Sequence, residues 1–207
     1  MKLIGADRRP KAANLAGQKF LTLGDHPALD FLNTEVRING ELVDLLQADD
    51  DVLRWLAHAG WPVGKIAEKY QKDELLELAR GLRVTIRGAV ENHKAGEPIG
   101  DIMNLYLYDA HSHLRLIPDK KGGLRLVRKW NQNTLKEVLG PLTESAAELL
   151  VDNDLSMIKH CENTECVLWF YDRTRAHRRR WCSMATCGTR NKVAAFRHRE
   201  QDNPKER

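Results

Sequence analysis

The sequence predicts a mainly α-helical chain with one small β-hairpin, ending in a compact treble-clef-like module held by a metal ion. Three observations carry this. Apolar residues recur at helical spacing through most of residues 24–155. Two apolar runs, 114–117 and 124–127, bracket a turn that contains Gly122 and Gly123. All four cysteines fall in the last fifty residues, spaced C-x4-C-x15-C-x4-C.

Residues 1–23 carry several basic residues but no continuous apolar stretch, so they are expected to form a flexible arm and not a secretory signal. Asp25-His26-Pro27 starts a helix, with Pro27 in the first turn, where its missing N–H costs nothing. Leu29, Leu32 and Val36 follow at helical spacing. Asp49-Asp50-Asp51 opens a second helix through Val52, Leu53, Leu56 and Ala57, acidic residues being favourable at a helix N-terminus. Gly60-Trp61-Pro62 stops it. The longest periodic segment spans 71–93, with Leu75, Leu76, Leu78, Ala79, Leu82, Val84, Ile86, Ala89 and Val90 on one side, opposite Glu and Arg. Ala95-Gly96-Glu97-Pro98 ends it. Ile102, Leu105 and Tyr106 predict a short helix, the hairpin follows, and a last helix spans 142–151. Asp152-Asn153-Asp154 makes a polar hinge.

The composition sets limits. The 207 residues are 42% hydrophobic and 30% charged, and the mean hydropathy is −0.52. No apolar run is long enough to span a membrane, so a cytoplasmic protein without a membrane partner is expected. The net charge of +4 conceals an asymmetry. Residues 157–207 hold twelve Lys and Arg against six Asp and Glu, whereas residues 1–156 hold 21 against 23. A basic unit joined to an acidic one suits a polyanion partner for the former.

Four thiolates satisfy a tetrahedral zinc, and two chain-local pairs supply them when each pair bends around the metal. In a reducing compartment such pairs are metal ligands more often than disulfides. Cys161, Cys166, Cys182 and Cys187 are therefore expected to hold one structural Zn2+ per chain. Four protein ligands close the coordination sphere, which argues against a catalytic metal. Between the pairs, Val167-Leu168-Trp169-Phe170-Tyr171 has strand character, and residues 188–199 look helical.

The surrounding cations are Arg173, Arg175, Arg178, Arg179, Arg180, Arg190, Lys192, Arg197 and Arg199. The charge of the thiolate cluster accounts for two or three of them; the excess is an electrostatic footprint for phosphates. On the final helix Thr189, Val193 and Phe196 form a stripe expected to pack on the module. Arg190 and Arg197 flank one edge of that stripe, and Lys192 and Arg199 the other. Asn191, Ala194, Ala195 and His198 then face outward, with Asn191 placed to meet bases. His111 and His113 are two residues apart and lack an accompanying thiol or carboxylate motif, so they do not predict a metal site. With Trp55 and Tyr106 they are the candidates to line a ligand pocket in the helical unit. The alternative for that unit is a plain dimerisation scaffold. No phosphate-binding glycine loop, Gly-x-Ser-x-Gly elbow or His-Glu-x-x-His helix is present, so no enzyme is expected.

Cys161-Glu-Asn-Thr-Glu-Cys166, with Trp181-Cys-Ser-Met-Ala-Thr-Cys187-Gly-Thr-Arg190-Asn-Lys192, resembles the CGNR zinc-finger family of bacterial proteins. Leu29-Asp-Phe-Leu-Asn-Thr34 resembles the start of the helical ABATE domain that precedes this finger. The resemblance implies the four cysteines as zinc ligands and a stress-related, DNA-binding transcription regulator. Thr189 stands where the family motif has Asn.

The organisation expected is an arm over 1–23, a helical ABATE-like domain over 24–155 for sensing or dimerisation, a CGNR-type finger over 156–200, and a tail over 201–207. DNA is the expected partner, with a small-molecule effector of the N-terminal domain. Because one finger reads only a short site, a homodimer is expected as well. RNA binding, using Trp169, Phe170 or Tyr171 as a stacking platform, is the nearest alternative. A zinc-stabilised protein-interaction module is another. The metal is expected to contribute on the order of 10 kcal/mol to ordering the finger, with residues 1–155 staying folded after its removal.

Overall fold

A computed structural model describes residues 20–61, 63–64, 69–120, 122–152 and 154–202. Most of the expected arm, Pro62, Asn153 and the end of the tail lie outside these residues. Helix α1 (Pro27–Leu32) leads into strands β1 (Glu35–Ile38) and β2 (Glu41–Asp44), followed by α2 (Asp49–His58) and the long α3 (Glu74–Ala95). Helix α4 (Ile102–Tyr108) precedes β3 (Ser112–Pro118) and β4 (Leu124–Trp130). Helices α5 (Leu135–Val138) and α6 (Gly140–Asp152) complete the N-terminal part. After a 3-10 turn at Leu155–Met157 come β5 (Ile158–His160), β6 (Trp169–Tyr171), a π-turn at Met184–Gly188, and α7 (Thr189–Asp202).

The fold is mainly helical, as expected, but the described residues hold three antiparallel strand pairs instead of one hairpin. The β5–β6 pair includes the strand expected at 167–171; the pair with no counterpart in the sequence expectation is β1–β2. Helix α1 stops at Leu32, and Val36 belongs to a strand opposite Val43. Asn39 (φ 52°) and Gly40 (φ 86°) form the turn, both in the left-handed region that an Asn-Gly pair adopts in a tight hairpin. Asn-Gly is the local signal that the helical spacing of Leu29, Leu32 and Val36 overrode.

Local chemistry explains the helix ends. His26 Nδ1 accepts from the Ala28 N–H (3.2 Å) at the start of α1. Asp51 accepts from the N–H groups of Gln47 and Ala48 ahead of α2. Asp49 does not cap its own helix; it accepts from Asp73 N–H (2.9 Å) and Leu76 N–H (2.8 Å), capping α3 instead. Gly96, at φ 75°, closes α3.

The main core gathers Leu29 and Phe31 of α1, Trp55 of α2, Leu82 and Ile86 of α3 and Leu142 of α6. It also takes in Ile158 and Trp169 from the finger segment. The polar side of α3 is not simply solvated. Arg80, Arg83 and Arg87 lie along one stripe and hold the β1–β2 hairpin. Arg83 is almost fully buried, contacting both Asp44 oxygens (2.8 and 2.6 Å), Glu35 (3.2 Å) and Thr34 Oγ1 (2.7 Å). Burial alone would push the Asp44 carboxyl up, but the Arg83 bonds outweigh it and hold it below the usual carboxylate range.

Candidate metal centre and nucleic-acid interface

The finger begins where β5 and β6 pair, with Ile158 opposite Tyr171 and His160 opposite Trp169. The chain then turns at Cys161: its N–H donates to Leu168 O (2.9 Å), Cys166 N–H donates to Asn163 O (2.8 Å), and the Asn163 side chain accepts from Glu165 N–H (2.9 Å). This Asn-centred turn brings Cys161 and Cys166 together. The second pair is brought together by the π-turn, which starts two residues after Cys182 and contains Cys187.

The sulfur atoms of Cys161, Cys166, Cys182 and Cys187 all lie within 4.8 Å of one another. Cys182 Sγ is 3.7 Å from Cys166 Sγ and 3.6 Å from Cys187 Sγ. A tetrahedron with Zn–S bonds of about 2.3 Å has S···S edges of about 3.8 Å, so the four donors fit one zinc ion. Three of them are buried and Cys166 is half-buried. The thiols also show why a cation belongs here. The bond from Cys182 draws Cys166 down to about 5, whereas Cys182 is pushed far up by that same bond and by burial, and burial lifts Cys187 to about 11. One negative charge is tolerated; several at this separation need a metal to neutralise them.

Asp172 organises the loop between the pairs. It is fully buried and accepts from Lys159 Nζ (2.7 Å), Thr174 Oγ1 (2.6 Å) and N–H (3.1 Å), and Arg179 N–H (2.9 Å). Burial pushes its carboxyl up, but the Lys159 ammonium and the other donors overcome this and hold it below the usual range.

The expected nucleic-acid residues divide sharply by their contacts. Arg179 is largely withdrawn from solvent, its side chain turned towards the protein. It donates to Leu23 O (2.9 Å), Cys182 O (2.7 Å) and Trp181 O (3.0 Å), pairs with Asp25, and lies over the Phe170 ring (4.2 Å). Arg173 donates to Asp25 O (3.1 Å) and stacks on Tyr171. Arg180 is exposed but pairs with Glu162 (2.5 Å) and sits over Trp181. Arg175, Arg178, Arg190, Lys192 and Arg197 are exposed, with no ion-pair partner among the described residues. The Arg199 side chain lies outside the described residues. Arg178 and Arg180, with Thr174, Ser183 and Met184, line a shallow cleft of about 570 Å³ beside the metal cluster.

Helix α7 departs from expectation. Val193 and Phe196 are 43% and 54% exposed, so their stripe does not pack on the module. The helix leaves the finger beyond the π-turn, which is its principal contact. Asn191 is half-buried and donates to Cys187 O (3.2 Å). Thr189 donates its hydroxyl to Met184 O (3.1 Å), a backbone contact made from the position of the motif's Asn.

The finger is tied into the N-terminal part. Val36, Val43 and Leu45 form one buried cluster with Leu168, Phe170 and three of the cysteines, and Phe20, Leu21 and Leu23 of the expected arm pack against it. Asn33 donates to Trp169 O (2.9 Å) and accepts from Trp169 N–H (2.8 Å), both buried. Tyr171 N–H donates to Gly24 O (2.8 Å). None of these links was foreseen, because they join residues far apart in the chain.

The expected pocket residues are dispersed. Trp55 is a core residue packed edge-on against Phe31 (4.7 Å), not a lining residue. Tyr106 is directed at α3, where its hydroxyl would lie 2.9 Å from a Cβ placed on Gly81. His111 sits 3.5 Å from Glu137 on the surface. His113 alone of the four lines a cleft of about 1150 Å³, with His26, Trp61, Arg128, Trp130 and Glu144 among its other walls. Burial first, then the Arg173 charge, pushes His26 down to about 4, so it is neutral there.

Among the described residues no helix is long and apolar enough to cross a membrane. No curated protein matches the chain. Residues 157–200 match the CGNR zinc finger, and residues 25–153 match the ABATE model, described as "Putative stress-induced transcription regulator". Joined to the geometry of the four thiols, these matches give the conclusion that the chain belongs to the ABATE family and ends in a CGNR zinc finger.

Proposed function

We propose that this protein is a DNA-binding transcription regulator whose finger and α7 contact DNA. On this reading the N-terminal part takes a small-molecule or stress signal. The observation that carries it is the set of exposed finger cations with no ion-pair partner among the described residues, Arg175, Arg178, Arg190, Lys192 and Arg197. Cations that only balanced the thiolates would be turned inward, as Arg179 is. RNA is disfavoured because two of the three residues of the expected stacking platform, Trp169 and Phe170, are buried, and the half-buried Tyr171 has Arg173 over its ring. The cleft beside His26 and His113 supports effector binding, because His26 immediately follows the Gly24-Asp25 segment that holds Tyr171, Arg173 and Arg179. An occupant there would press on the segment that docks the finger.

The test is fluorescence anisotropy of the zinc-loaded chain with genomic DNA fragments across a salt series. Five phosphate contacts give a slope of log K against log salt of about −4.5. A slope near zero would refute polyanion binding and favour a protein-interaction module.

A further inference from the structure

Seven of the thirteen large apolar side chains exposed among the described residues fall between Ile102 and Leu126. Ile102, Leu105 and Tyr108 recur every third residue along α4, and Leu114, Leu116, Leu124 and Leu126 belong to the β3–β4 hairpin. Its register places Leu116 opposite Leu126, Leu114 opposite Arg128, and Leu124 opposite Pro118, so all four leucines share one face. That face is open, each leucine being 60–70% exposed. The opposite face carries His113, Arg115, Arg125 and Lys129 around the half-buried Ile117 and Val127. An antiparallel pair ordinarily turns its apolar face to a core and its charges to water. Here the leucines face water, and a two-stranded hairpin alone is marginally stable.

We infer that the leucine face of β3–β4, together with the α4 stripe that precedes it in the chain, is the surface on which a second copy of this chain docks. Three observations choose that occupant. The face carries one charge, Arg128, already engaged by Ser112 Oγ (2.9 Å) and Glu144 (3.4 Å), so two copies meet without like-charge repulsion. The reverse face and the finger are basic and would repel their own copies. At roughly 100 Å² per exposed side chain, the seven residues offer about 700 Å² per copy, close to the ~800 Å² per partner of a stable interface. Tyr108 and Ser112 are four residues apart, at most about 14 Å of chain, so stripe and hairpin can contribute to one patch. Finally, no third strand joins β3 or β4 among the described residues, which leaves both edges open to pairing across a two-fold axis. The inference stands independently of the DNA-binding reading.

The experiment is sedimentation velocity of the zinc-loaded full chain against its L116E/L126E variant. The wild type is expected to be a dimer at micromolar concentration and the variant a monomer with unchanged zinc content and far-UV circular dichroism. Hydrogen exchange on the wild type gives a second measurement that needs no variant: strands β3 and β4 should exchange more slowly as concentration rises. A wild type that stays monomeric at hundreds of micromolar, or that gains mass only with a different protein, overturns the inference. So does a variant that remains dimeric.

Discussion

Stripping the zinc should unfold more than the finger. The perturbation is a strong chelator under reducing conditions at neutral pH. Once the four thiols lose their common ion, the turns at Cys161–Cys166 and Cys182–Cys187 lose the restraint that closes the module. The damage then reaches the N-terminal part through the shared cluster of Val36, Val43, Leu45, Leu168 and Phe170. Re-exposing Val36, Val43 and Leu45 costs about 1.5–3 kcal/mol each, or about 4–9 kcal/mol together as an upper bound. Losing Trp169 leaves Asn33 without both of its buried bonds, a further ~1–3 kcal/mol. The sum is comparable with the ~5–15 kcal/mol that stabilises an ordinary domain, so the outcome predicted here is the opposite of residues 1–155 staying folded after metal removal. Hydrogen exchange with mass spectrometry, with and without chelator, measures this directly. Amides of α1, β1 and β2 should lose protection together with those of β5 and β6. If the β1–β2 hairpin keeps its protection while the finger exchanges freely, the shared cluster does not couple the two parts and the reasoning is wrong.

Four further outcomes are expected. Arg179→Ala should cost about 3 kcal/mol by leaving three partly buried carbonyls without this partner, whereas Arg178→Ala should stay within about 0.5 kcal/mol; paired thermal melts check this. In DNA titrations Arg178→Ala, and likewise Arg197→Ala, should reduce the salt slope by about one with zinc still bound. Asp172→Asn should cost about 3 kcal/mol because Lys159 is left facing a neutral partner; since folding lowers this carboxyl, its stabilisation is present above about pH 4 and is lost as pH falls through the lowered value. The His26 ring should titrate near 4 with the proton on Nε2, by NMR, so its contribution is intact above pH 6.5 and lost on acidification towards 4.

What the sequence revealed followed the range over which its signals act. Helix α3 was legible because one apolar stripe runs from Leu75 to Val90 and Gly96 closes the helix, and β3–β4 because its runs flank glycines. The cysteine spacing carried the metal site with nothing else needed. The β1–β2 hairpin was lost because Leu29, Leu32 and Val36 fit a helix period by coincidence across a helix–strand junction. The fate of individual arginines was not legible, since Arg178, Arg179 and Arg180 are chemically identical in the sequence. Only the backbone decides that Arg179 meets Leu23 O, Cys182 O and Asp25 while Arg178 meets solvent. The pocket was misplaced for a related reason. Aromatic and imidazole side chains at Trp55, Tyr106 and His111 look alike whether they fill a core, touch a neighbouring helix or lie on the surface.

The Asn33 amide imitates a strand: it offers Trp169 one donor and one acceptor, as a neighbouring backbone would, across 136 residues of sequence. This separation has a temporal meaning during synthesis. At about 5–20 residues per second, roughly 7–27 s pass between the making of Asn33 and of Trp169. Throughout that interval the inner side of β1–β2 lacks the cover of Leu168 and Phe170, and the polar end of α1 lacks its Trp169 partner. Closure must wait for the second cysteine pair, Cys182 and Cys187, and for a metal ion to bind. A later-made segment thus licenses an earlier one, and where zinc is scarce the product would be an incompletely closed chain exposed to proteolysis, not a folded N-terminal part lacking its finger.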